Sequence, residues 1–85
     1  MYVFRIEIIN PTLGLERKFN VKVKKTYNVP KDHVEPVINK RGLSYVRVGR
    51  DFNDFQTVER ILRDYFSRVY PPPEWYIRKI ELNLL

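Results

Sequence analysis

At 85 residues and a net charge of +6, the chain has the length of one domain and more cationic than acidic side chains, 16 Lys and Arg against 10 Asp and Glu. It contains no cysteine, which excludes disulfides, thiolate nucleophiles and cysteine-based metal sites. No stretch approaches the ~20 apolar residues of a membrane span. The opening MYVFRIEII lacks the basic region and long apolar run of a secretory signal, so the expected setting is cytoplasmic with no membrane partner.

Residues 2–9 alternate, with Tyr2, Phe4, Ile6 and Ile8 on one face and Val3, Arg5, Glu7 and Ile9 on the other. The second face is partly apolar, which predicts an inner strand or an outer face covered at its ends. Asn10-Pro11-Thr12-Leu13-Gly14 follows. Proline presets a turn and glycine accepts a positive φ, so the chain is expected to reverse here. Residues 16–25 then place Phe19, Val21 and Val23 on one side and Lys18, Asn20, Lys22 and Lys24 on the other. The two segments are expected to pair as an antiparallel hairpin. The lysine row has two readings: protection of an edge strand against aggregation, or a β-ribbon presented to phosphates.

Residues 26–42 read as a long connection, broken by Pro30 and Pro36, with a short helical turn from Pro36 to Gly42. A third strand is expected over residues 43–49, with Val46 and Val48 inward and Tyr45 and Arg47 outward. From Asp51 to Val69, apolar residues recur at 55, 58, 61, 62, 65, 66 and 69, which is helical spacing. Asn53 with Gln56, or Asp51 with Asp54, would cap its start. Pro71-Pro72-Pro73 would end it and serve as a rigid spacer. On the outer helix face Glu59–Arg63, Arg60–Asp64 and Asp64–Arg68 stand at ion-pair spacing. A last strand is expected where Ile80, Leu82 and Leu84 alternate with Lys79, Glu81 and Asn83; Trp75-Tyr76-Ile77 breaks that alternation, which predicts either a bulge or burial on both sides near its start. The expected fold is therefore α+β, a single domain over residues 1–85. Its three- to four-stranded, mostly antiparallel sheet comprises an N-terminal hairpin, a third strand and a C-terminal strand. One amphipathic helix over about 52–69 packs against it, in the order β-β-β-α-β.

The charge is unevenly placed. Residues 1–50 hold eleven Lys and Arg against four Asp and Glu, a balance of +7, whereas residues 51–85 hold five against six, a balance of −1. Such asymmetry points to a polyanionic partner. The expected function is non-enzymatic binding of DNA or RNA through the phosphate backbone. Lys18, Lys22, Lys24 and Lys25 would form one row and Lys40, Arg41, Arg47 and Arg50 a second, with Tyr45 stacking on a base. The alternative is a protein-interaction or assembly module, or a homo-oligomer, using the aromatic segment Tyr70, Trp75 and Tyr76 or a free sheet edge. Catalysis, a cofactor and a metal are not expected. His33 is the only histidine and reads as a solvated loop residue. Neither Ser44 nor Ser67 sits in a nucleophile elbow, and the isolated glycines form no phosphate-cradling pattern. The aromatic RNP signature, the GXXG loop and the helix-turn-helix pattern are missing as well. Abundant Arg, Lys, Tyr and Val with a single Gln would suit a hot habitat. In general make-up the chain resembles ribosomal proteins and the small proteins of archaeal viruses, a likeness of type that assigns no residue a role.

Overall fold

Alternation over the first part of the chain gives two long strands. In the computed structural model, which describes residues 2–84, β1 (Tyr2–Asn10) and β2 (Leu15–Thr26) form an antiparallel hairpin. Its turn is tied by buried Asn10, whose Oδ1 accepts a hydrogen bond from the Leu13 amide at 3.1 Å, and Gly14 completes it at a φ of 65°. Three further strands and one helix follow: β3 (Val34–Asn39), β4 (Gly42–Gly49), α1 (Phe55–Val69) and β5 (Tyr76–Leu84).

The sheet has five strands in the order β3-β4-β2-β1-β5. β2 and β4 are parallel, and the other neighbours are antiparallel. The fold is α+β as expected from the alternation, with one strand more than the three or four expected. The added strand is β3, in the segment read as a connection with a helical turn. Pro36 starts no helix there. It pairs with Val46 from an edge strand, where a missing amide donor leaves no inner neighbour unsatisfied. Gly42 closes the β3–β4 hairpin at a φ of 111° instead of capping a helix.

The N-cap of α1 is Asp54, the second member of the expected Asp51–Asp54 pair, in place of Asp51 or Asn53; its Oδ1 accepts from the Thr57 amide at 3.2 Å and its Oδ2 from the Thr57 hydroxyl at 2.6 Å. These bonds hold the Asp54 carboxyl below its ordinary value. The helix stops at Tyr70, ahead of the three prolines. Val58, Leu62 and Phe66 are buried against Phe4, Ile6, Ile8, Val21, Val23, Val46 and Val48. Tyr2 against Phe55 and Phe19 against Phe66, with ring centroids 4.7 and 4.9 Å apart, extend this core along the helix. Of the three helix ion pairs expected, Glu59–Arg63 forms at 3.9 Å; Arg68 instead donates to the Asp64 carbonyl. The irregularity expected near Trp75–Ile77 is a bulge: Glu7 faces Lys79 and Ile8 faces Ile77, leaving Arg78 unopposed.

The position of β4 between β2 and β3 forces residues 27–33 to pass over its end. Gly49 is the point of closest approach. A Cβ there would lie 2.3 Å from the Pro30 carbonyl oxygen and 2.6 Å from that of Lys31. The crossing strand end is tied by a Gly49 amide bond to the His33 carbonyl at 2.9 Å and a His33 amide bond to the Pro30 carbonyl at 3.0 Å. All of this architecture leaves one face of the sheet carrying the helix and the other carrying none.

Candidate nucleic-acid interface

The strand registers decide what occupies the open face. Lys22 stands beside Val3 on β1 and Tyr45 on β4, and Lys24 stands beside Arg47. Glu35 and Val37 of β3 extend these rows on one side, and Lys79, Glu81 and Asn83 of β5 extend them on the other. The lysine row of β2 is therefore in the third of five strands, paired on both sides. It guards no edge, so the anti-aggregation reading of these lysines does not apply.

Much of the charge on this face is paired. Toward the β1–β2 turn, Arg78 donates to Glu7 and Glu16, each at 2.6 Å, and Lys18 lies 3.6 Å from Glu16. The Arg78 hydrogen bond holds the Glu7 carboxyl below its usual value, and Glu7 in turn raises Arg78. Lys79 pairs with Glu81 at 2.7 Å, which raises the lysine. Near β3, Arg47 bonds Glu35, which also lies 3.4 Å from His33 Nε2; the Arg47 bond is the main reason this carboxyl is lowered. His33 lies in the loop before β3 as its sequence context suggests, but partly buried against Glu35 and not fully solvated.

Toward the other end of β2, the cations have no carboxylate partner among the described residues. Arg5, Lys22, Lys24, Lys25 and Arg50 make no salt bridge there. Three of them lie over aromatic rings. Lys24 is 4.2 Å from the Tyr45 centroid, Arg50 is 5.0 Å from that of Tyr27, and Lys25 is 6.0 Å from that of Tyr2. Because β2 and β4 are parallel, their C-terminal residues meet at one end of the sheet, with Thr26 beside Gly49. That register brings Tyr27 and Arg50 together just beyond. An open cavity of about 540 Å³, lined by Tyr2, Val23, Lys24 and Lys25, occupies the same end.

The nine residues singled out by sequence divide accordingly. Lys22, Lys24 and Tyr45 come together on the open face. Lys25 is on the helix side of β2 by register, and Arg50 is past the end of β4, so both flank the group at its rim. Lys18 and Arg47 share the face but are already paired. Lys40 and Arg41 sit in the β3–β4 turn at the other end of β4 and do not join it. Sequence reasoning missed Arg5, Asn20, Asn83, Tyr2 and Tyr27. The alternation of their strands assigns Arg5, Asn20 and Asn83 to the open side, but only the cross-strand register makes them neighbours.

No group of three or more His, Cys, Asp or Glu able to hold a metal occurs among the described residues. No helix among them is long and apolar enough to cross a membrane. Comparison with known protein families, curated proteins and solved structures found no match.

Proposed function

We propose that this protein binds nucleic acid without catalysis, holding the phosphate backbone on the open face of the sheet and around the end where β2 and β4 stop. The observation that carries this reading is a cluster of unpaired cations beside aromatic rings. Acidic side chains neutralise Lys18, Arg47, Arg78 and Lys79, whereas Arg5, Lys22, Lys24, Lys25 and Arg50 have no carboxylate partner among the described residues, and Lys24, Lys25 and Arg50 lie over tyrosine rings. Arg17, Lys40, Arg41, Arg60 and Arg68 are unpaired among them too, but they stand apart from this cluster. Tyr45 and Tyr27, each already under a cation, offer rings on which a base can stack.

The test is a fluorescence anisotropy titration with labelled single-stranded and duplex oligonucleotides at several salt concentrations. Affinity is expected to fall steeply between about 50 and 200 mM salt, as each neutralised phosphate releases counterion. Absence of binding at the low-salt end, or affinity indifferent to salt, rejects the proposal.

A second reading, association through a sheet edge, has one observation in its favour. The two edges of the sheet differ. β3 carries Pro36 and a register shift at Val37/Ile38, both of which discourage a further strand. β5 has no proline, its bulge is confined to the start, and it exposes Leu82 by 38% and Leu84 by 71%. On this reading the protein sediments as a dimer at high concentration, and a monomeric mass there dismisses it.

A further inference from the structure

We propose that the hollow at the centre of the open face, between Arg5, Asn20, Lys22 and Asn83 over Val3, is a seat for one phosphate group of a bound nucleic acid strand. The inference deepens the function proposed above and rests on it. Three adjacent strands build the hollow. Val3 of β1 stands opposite Lys22 of β2 on one side and Asn83 of β5 on the other, and Arg5 stands opposite Asn20. Its volume is about 220 Å³.

The lining chooses the ligand. A guanidinium, an ammonium and two carboxamides are among its lining groups and no carboxylate is; Glu81, which faces Arg5 across the β1–β5 ladder, is paired with Lys79. Arg5 and Lys22 have no ion pair among the described residues, whereas Lys18, Arg47 and Lys79 on the same face have one each and Arg78 has two. The Asn83 Nδ2 is buried and has no hydrogen-bond partner. A buried donor left unfilled is costly, and a turn of the Asn83 side chain would offer it to an acceptor in the hollow that the residue lines. Val3, only 5% exposed, supplies a dry floor that strengthens charge-assisted hydrogen bonds above it. A small group with several acceptors, negative charge and no donors meets all of these demands, and a phosphodiester is such a group. Lys22 is also the cross-strand partner of Tyr45, so a phosphate seated here leaves its nucleotide next to that ring.

The experiment follows the side-chain amide signals of Asn83 and Asn20 in ¹H–¹⁵N spectra of the full chain. The probes are inorganic phosphate, a single-stranded oligonucleotide and phosphatidylglycerol vesicles. The Asn83 signals are expected to move with phosphate and, at lower concentration, with the oligonucleotide. Asn83→Leu and the exposed Arg5→Gln are each expected to weaken oligonucleotide binding about tenfold, the scale of one hydrogen bond to a charged group; the second variant keeps the test valid if the first fails to fold. Oligonucleotide binding that leaves the Asn83 signals in place, and that neither variant weakens, overturns the seat while sparing nucleic-acid binding. Movement with phosphate but no oligonucleotide binding keeps an anion seat and removes nucleic acid as its source. Vesicles that move the signals more strongly than the oligonucleotide assign the hollow to a lipid phosphate and overturn the proposal.

Discussion

Replacing Gly49 with alanine is expected to destabilise the protein by about 3 kcal/mol, at the upper end for overpacking a tight interior. For a domain of this size, that lowers the melting temperature by roughly 10–20 °C. The added methyl would stand 2.3 Å from the Pro30 carbonyl oxygen and 2.6 Å from that of Lys31, and both obstacles are backbone. Neither partner can retreat cheaply. The crossing segment is held by the Gly49–His33 and His33–Pro30 backbone bonds, and the Phe52 amide bonds the Gly49 carbonyl at 3.1 Å. Gly14→Ala provides the contrast. That position has open space around it, so its cost comes from its φ of 65° alone, about 1 kcal/mol. Thermal melts of the two variants followed by circular dichroism check the ranking. A Gly49→Ala protein as stable as Gly14→Ala would contradict the close crossing.

The largest expected effect on binding belongs to the triple variant Lys22→Gln, Lys24→Gln, Arg50→Gln. Each is exposed and free of carboxylate partners among the described residues, so the fold has little to lose. For a single strand, the logarithm of affinity changes with that of salt at about −0.7 per neutralised phosphate. Losing three such contacts therefore removes about 2 from the slope, and near 0.1 M salt it weakens binding by roughly 100-fold. The control is Lys40→Gln, Arg41→Gln, Arg68→Gln, which removes the same charge from the β3–β4 turn and the helix, away from the bare group. It is expected to bind nearly as wild type in the same anisotropy assay. Equal losses from both triples would mean that net charge alone governs binding and that no face is preferred.

Local chemistry made much of the fold legible. Alternation in β1, β2 and β4 assigned their faces, and the spacing from Phe55 to Val69 with the prolines beyond it gave the helix and its end. The segment from Thr26 to Gly42 was not legible. Pro36 is a helix starter and also a residue that an edge strand tolerates, and nothing local says which applies. The parallel seam between β2 and β4 was hidden for a related reason: it depends on β3 being a strand and lying outermost. The site was legible as a list of cations but not as a surface. Whether a cation is bare depends on partners far along the chain, as Arg78 with Glu7 across 71 residues shows. The strongest misdirection was the lysine row. Its edge-strand explanation was physically sound and fell only to the position of β2 in the middle of the sheet.

The seam between β2 and β4 has a consequence for how stability and occupancy are linked. Each of the two hairpins can form from nearby sequence, yet they join through only five register pairs, Lys22–Thr26 against Tyr45–Gly49. Lys22 and Lys24 belong to one hairpin, Tyr45 and Arg50 to the other or its exit. Tyr45 and Arg50 thus join the lysines only when the two halves are docked. On the proposed function, a chain of phosphates laid across that line would act as a suture, since it would engage the docked molecule more fully than the parted one. By mass action it would shift the equilibrium toward the closed assembly and reinforce the shortest join in the sheet.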